Sequence, residues 1–324
     1  MKRSIVRSAI ALLMLQALPS LGLAQDYPNK PLKLIVPFPA GGPADTIGRV
    51  YAEKLSSLTG QPVVIENRAG AGGVTGIAGV AKADPDGYTL GIATSGTLAM
   101  NVVLQDKLPY HPLKDLTLVT QAASVPELLV VGTQVPARTV GELVALAKAE
   151  PGKINFASTG LGSMPHMAAE LFKITAVIDI VHVPYAGAAP AVNDLLGGHV
   201  QMLFADVPVL LDSVQAGKLR ALGVGSAKRL AVLPDVPTMA EAGLPKVEAD
   251  NWYGIVAPAN MPPEVEAKLH KVSVEAIRSA DATERLGKQG VITVGSSTPE
   301  FAAYVKGEIE RWGGVVKTAG IKLK

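Results

Sequence analysis

Apolar and polar positions fall into short blocks that switch between two periods along the chain. Leu32-Lys33-Leu34-Ile35-Val36 is a nearly continuous apolar run and reads as a buried strand. A Gly/Pro segment from Pro37 to Pro43 follows, and then Ile47, Val50, Tyr51, Leu55 and Leu58 recur at helical spacing. Asp45 or Thr46 is suited to cap that helix and Gly60 to end it. Val63-Val64-Ile65 predicts the next strand, a glycine-rich turn and small-residue helix run to about Ala83, and Thr89–Ala93 predicts a third strand. Strand, helix, strand, helix, strand is the signature of a parallel sheet covered on both faces.

The pattern restarts after about residue 124. Leu128–Val131 predicts a strand, Thr139-Val140-Gly141-Glu142 a capping box, and Pro151-Gly152 the end of the helix it opens. Ile154–Ala157 is a strand running into a second Gly/Ser loop, Ser158 to Met164, with Pro165 placed for a first helical turn. Helices near Pro190–Leu196 and from about Val207, and strands at Val200–Phe204, Leu219–Val224 and Trp252–Ala257, continue the alternation. Helices at Pro263–Ser279 and Pro299–Thr318 close the chain, with no short repeat and no low-complexity segment.

Composition narrows the chemistry. The 324 residues are 48% apolar and 18% charged, which excludes a disordered or coiled-coil chain and gives material for more than one domain. The absence of cysteine removes disulfide scaffolds, thiolate metal sites, cysteine nucleophiles and a Cys-linked lipid anchor. The net charge of +2 is local: Lys2, Arg3 and Arg7 precede the apolar run Ala9–Leu18 and the small-residue end Gly22-Leu23-Ala24, the order of a secretory signal over residues 1–24. Without them one more acidic than basic residue remains, no Lys/Arg run is left for nucleic acid, and an exported protein is expected.

Each half of the chain places a Gly-rich loop after an early strand and before a helix. The first contains Phe38, Ala40, Gly41, Gly42 and Asp45, and the second Ser158, Thr159, Gly160, Gly162, Ser163 and His166. Ligands of parallel α/β sheets gather at the carboxyl ends of strands, where bare glycine backbone and helix N-termini attract anions. Neither loop carries Lys or Arg, so a small carboxylate held there would be bound by neutral donors. Asp45 reads either as a helix cap or as a carboxylate facing the cleft, and Arg49 as its ion-pair partner. His166 reads either as a ligand contact or as a group satisfying the loop backbone, and Phe38 as a packing plug or a pocket wall.

Other chemistries have weaker support. Gly70-Ala71-Gly72-Gly73-Val74-Thr75-Gly76 departs from the dinucleotide fingerprint, so a close-packed helix start is expected in place of a cofactor site. The five histidines are scattered with no pair at metal spacing, and neither metal nor cofactor is expected. Ser163 and His166 lie one helical turn apart and admit a secreted hydrolase, although the nucleophile-elbow pattern is missing.

Several longer motifs carry a resemblance. Pro37-Phe38-Pro39-Ala40-Gly41-Gly42-Pro43-Ala44-Asp45, Glu66–Gly73, Asp84–Leu90, Val183–Ala191, Asp194–Gly198 and Leu233–Gly243, in this order over nearly the whole chain, resemble the Bug family of extracytoplasmic solute receptors. These are the substrate-binding components of tripartite tricarboxylate transporters. The resemblance implies a two-lobe α/β fold of the type II periplasmic-binding-protein class, each lobe a mainly parallel sheet flanked by helices, with a two-strand hinge. It places lobe 1 at residues 25–123 plus 250–324, lobe 2 at residues 124–249, and the crossings near 121–127 and 248–254. It makes the two loops pincers on a ligand carboxylate and suggests further contacts from Ser95, Thr97, Asn101, Tyr185, Ala186 and Asp206. The implied ligand is a small organic acid or acidic amino acid, the implied partners are membrane permease subunits, and the receptor is expected to be periplasmic and monomeric. A same-fold receptor serving a signalling partner is the other reading. Ala186 and Gln201 depart from the family's usual larger, often basic, and acidic residues.

Overall fold

The computed structural model describes residues 27–321; the expected signal at 1–24 lies outside them. The first sheet begins with β1 (Leu32–Val36), parallel to β2 (Val63–Asn67) on one side and β3 (Thr89–Thr94) on the other. It continues through β9 (Asp250–Pro258), antiparallel to β3, to β4 (Leu116–Gly132). The short β10 (Ile292–Thr293) also pairs with β4.

β4 belongs to two sheets. Its residues 116–126 pair with β9, and residues 127–132 pair with β7 (Met202–Asp206) and β8 (Leu219–Val224). The parallel strands β5 (Ile154–Ser158) and β6 (Ile180–Pro184) complete the second sheet beyond β7. The chain passes back into the first sheet at Asp250, and the two passages are tied together: Pro126 pairs with Asp250, and the Glu127 N–H donates to the Ala249 carbonyl at 3.0 Å. Two lobes therefore share a paired, two-strand hinge.

Helices cover both faces of each sheet. In the first lobe, α1 (Pro43–Thr59), α8 (Pro263–Arg278) and α9 (Ala280–Gly287) bury Ile47, Tyr51, Leu55, Leu269, Ile277 and Leu286 on one face. On the other face, α2 (Val74–Ala81), α3 (Asn101–Leu104) and α10 (Thr298–Ala319) contribute Ile77, Leu104, Phe301 and Trp312. The second sheet is covered by α4 (Val140–Ala149) and α5 (Met164–Ala176) on one face and by α6 (Ala188–Gly197) and α7 (Val207–Gln215) on the other. Among the described residues no helix is long and apolar enough to cross a membrane.

α5 is shared between lobes. Ala168, Ala169 and Phe172 enter the second lobe's core, whereas Met164, Met167 and Leu171 enter the cluster containing Leu98, Phe301 and Trp312 of the first. Helical spacing separates these two stripes, so one helix can serve both cores. α10 is anchored deeply as well: buried Glu308 accepts from the indole N–H groups of Trp252 (3.1 Å) and Trp312 (3.0 Å).

Most predicted elements occur close to their expected ends, and the differences have local causes. The α1 cap is Gly42, not Asp45 or Thr46, and the helix has no side-chain cap. The Thr139 hydroxyl accepts from Glu142 N–H, but Glu142 returns its bond to Arg138 and not to Thr139. The helix expected to end at Ser279 breaks there into α9, because Ser279 is extended and its hydroxyl caps the new helix through Ala282 N–H.

Candidate functional site between the lobes

The first loop leaves β1 at its carboxyl end. Asp45, in the first turn of α1 and almost fully buried, reaches back to accept the Gly41 N–H at 2.9 Å, and it also accepts from Arg49 (2.8 and 3.1 Å) and Asn67 (3.0 Å). Asn67 further ties the Phe38 carbonyl at 3.1 Å. Burial works to raise the Asp45 pKa, but the Arg49 hydrogen bonds and those from Gly41 and Asn67 outweigh it and hold the carboxyl below its ordinary range. Asp45 thus fixes the loop from beneath, and Arg49 is its ion-pair partner. Ala40 and Gly41 are exposed and Gly42 is half-buried, while the Phe38 ring packs against Gly73 and Thr97 is its neighbour there.

The second loop is built on the carboxyl end of β5. Ser163 caps α5: its hydroxyl donates to the Gly160 carbonyl at 2.7 Å and accepts from His166 N–H at 3.4 Å. The buried His166 ring accepts the Gly162 N–H on Nδ1 at 3.2 Å. Behind it, His182 stacks on His166 with ring centroids 4.1 Å apart and on Phe156 at 4.8 Å, and its Nε2 lies 2.6 Å from the Ser158 hydroxyl. Burial lowers the pKa of His166 to about 3, helped by His182, and that of His182 to about 4, so both rings are neutral. His182 escapes a sequence search because β6 is an edge strand with weak alternation; its place beside β5 is the signal that locates it.

The two lobes touch through this loop. A side chain on Gly72 would begin 3.9 Å from the Leu161 carbonyl, one on Gly96 3.5 Å from the Gly162 carbonyl, and one on Gly162 3.2 Å from Asn101 Oδ1. Asn101 is buried and its Oδ1 also accepts from Gln105 at 3.0 Å. Among the described residues, no acceptor takes the N–H groups of Ala44 at the uncapped start of α1 or of Thr159 and Leu161 in the second loop. The remaining second-loop donors at Gly160, Gly162 and Ser163 are engaged within the loop itself.

A hydrogen-bonded chain crosses the hinge beneath the two loops. Ser95, after β3, donates to Asn251 Oδ1 at 2.6 Å; Asn251 Nδ2 donates to Asp206, at the end of β7, at 2.9 and 3.2 Å; and Tyr253 donates to the same carboxylate. The Thr97 hydroxyl is bonded within its own turn to the Thr94 backbone. Tyr185 donates to Asp194 at 2.7 Å, its backbone carbonyl lies beside Gly160, and Ala186 is exposed. Gln201 accepts the Asn155 N–H at 2.9 Å and serves the start of β5.

No serine-histidine couple forms at the expected place. The Ser163 hydroxyl meets the His166 backbone, not its ring, and His166 Nε2 faces Glu170 at 3.9 Å. Among the described residues no group of three or more His, Cys, Asp or Glu is arranged to hold a metal ion.

Two glycine-rich loops from opposite lobes thus meet above a two-strand hinge. Residues 47–321 match the family model described as the tripartite tricarboxylate transporter family receptor. The chain belongs to that receptor family. The receptor is 40% identical over 302 residues to protein BugT of Bordetella pertussis, covering 93% of each chain. Among solved structures, an R. palustris protein with adipate is 36% identical with a TM-score of 0.87, covering 91% of this chain and 99% of that one. The periplasmic binding protein BugD gives 32% and 0.85 over 92% and 100%, and MatC of Rhodopseudomonas palustris with bound malate gives 33% and 0.83 over 90% and 100%. The family consists of solute-binding receptors, which sets aside the hydrolase reading of Ser163 and His166.

Proposed function

We propose that this receptor captures a small carboxylate-bearing solute between its lobes in the periplasm, after removal of residues 1–24, and delivers the closed form to the membrane permease subunits of a tripartite transporter. The observation that carries this reading is the pair of loops at strand carboxyl ends in opposite lobes, with unengaged backbone N–H groups and no free cation in either loop. Such a site holds an anion by oriented neutral dipoles and releases it readily. The adipate and malate in the two related structures match that chemistry.

In this reading Phe38, Ala40, Gly41, Gly42 and Asp45 form one jaw and Ser158, Thr159, Gly160, Gly162, Ser163 and His166 the other. Asp45 and His166 act as positioning residues behind their loops. Ser95, Thr97, Asn101, Tyr185, Ala186 and Asp206 line the base and rim. The lobes divide as residues 25–123 plus 250–324 and residues 124–249; the strand passages at Pro126–Glu127 and Ala249–Asp250 support the second boundary and put the first three residues later. A ligand that bridges both jaws only when they close shifts the population toward closure by its differential contacts.

A thermal-shift screen of the mature protein against malate, adipate, other short organic acids and acidic amino acids tests this. A bound acid raises the midpoint in a concentration-dependent way, by about 2.7 kcal/mol of added stability at a hundredfold excess over Kd. Neutral diamides of the same acids leave it unchanged. A response to the diamides equal to that of the acids would overturn carboxylate recognition.

A further inference from the structure

Glu127 is the residue of β4 at which the chain passes between sheets. Its side chain is wholly buried, and neither carboxylate oxygen has a hydrogen-bond donor among the described residues. Its cross-strand partner is Asp206 of β7, so the two carboxyl side chains leave the ladder side by side on one face. Ionised carboxylates are acceptors only, so two of them share a contact there only through a proton. The groups facing the pair are Asp206 from β7 and Asp250, Asn251 and Tyr253 from β9; none is a cation. The nearby Arg311 faces Asp250 and is engaged with Glu308 and the Glu248 carbonyl. Two unscreened negative charges at such a spot are not sustained without a counter-ion. The donors are unequally shared: Asp206 receives Asn251 and Tyr253, whereas Glu127 receives none.

We infer that Glu127 and Asp206 hold a single proton between them at neutral pH, resident on Glu127 and donated to Asp206, and that this proton halves the negative charge beneath the cleft into which an anion is drawn. The inference rests on the proposed carboxylate ligand for its purpose, but the proton itself follows from the hinge geometry. Burial and the Asp206 charge both push the Glu127 carboxyl far above its usual range. The folded state then binds a proton that the unfolded chain releases above about pH 4.3, so stability falls as pH rises.

The test compares the full mature protein with Glu127→Gln, a neutral isostere of the protonated acid. Ligand-free unfolding free energies between about pH 5 and about pH 9 should fall more steeply in the wild type, by the slope of one proton. Malate and adipate, used as probes, should bind both proteins within about threefold, because the substitution changes no charge at neutral pH. Parallel pH slopes, or a gain of about tenfold or more in anion affinity on substitution, would show Glu127 ionised and overturn the inference. A wild-type midpoint that follows sodium concentration and not pH would overturn it too, in favour of a bound cation. Where the slopes differ but neither protein binds any carboxylate, the proton stands and the proposed ligand class fails. If Glu127→Gln does not fold, infrared spectra of wild type labelled at glutamate decide: a protonated glutamic acid band at neutral pH is expected, and its absence contradicts the proton.

Discussion

Asp45 shows how much one side chain can do for the shape of a loop. Its carboxylate holds the Gly41 N–H, Arg49 and Asn67 at once, so the first loop keeps one shape before anything binds. Asp45→Ala should lower stability by about 1–2 kcal/mol in denaturant unfolding, through the lost charge-assisted hydrogen bonds from Gly41 and Asn67. The half-exposed Arg49 adds little to that sum. Titration calorimetry with the acid found in the screen should show affinity falling about tenfold as the loop loosens. Unchanged stability and affinity would remove Asp45 from the site. Because the folded carboxyl titrates below the unfolded one, its contribution is complete above about pH 4 and is lost only as pH falls through the lower folded value. At this scale the sequence exposed the residue but not its role: the choice between cap and cleft depended on which backbone N–H lay behind it. His182 went unnoticed for the same reason, since stacking on His166 is set by the pairing of β6 with β5.

Among the elements, apolar runs bounded by Gly or Pro, such as β1 and β8, were legible to within a residue or two. The first part of β4 was not, because Pro126 interrupts a pattern that otherwise reads as strand; the proline sits where the strand leaves one sheet for the other. β6 and α9 were also missed, the first a half-exposed edge, the second separated from α8 by an extended serine and no glycine or proline. Packing between β9 and α10 depends on a bare position at Gly254, where any side chain would run into the Phe301 ring. Phe301 is itself fully buried between the strand and Leu98, and cannot retreat without disturbing the core shared with α5. Gly254→Ala should therefore cost about 1–3 kcal/mol, read as a lowered calorimetric midpoint. An unchanged midpoint would mean that α10 shifts freely and is not a rigid support for the hinge.

For the whole molecule, two alternating α/β patterns and two matched loops were visible in the chain, and the ordered motifs carried the family resemblance. The shared use of α5 was hidden, because two apolar stripes on one helix look like a single broad buried face until the partners are known. That sharing matters for the proposed function, since closing the lobes on a ligand would slide Met164, Met167 and Leu171 against the first lobe. Methionine tolerates such repacking better than branched side chains do. In the proposed function a carboxylate is held between two glycine-rich jaws. Calorimetric titration of malate and adipate into the wild type and Gly160→Val separates that arrangement from any other. Gly160 has φ +128 and lies beside the Tyr185 carbonyl, so valine forces the second jaw out of shape at a half-buried loop position that belongs to neither core. Saturable one-to-one binding by the wild type, lost in a variant that still unfolds cooperatively, is the predicted result; equal affinity in both proteins would contradict it.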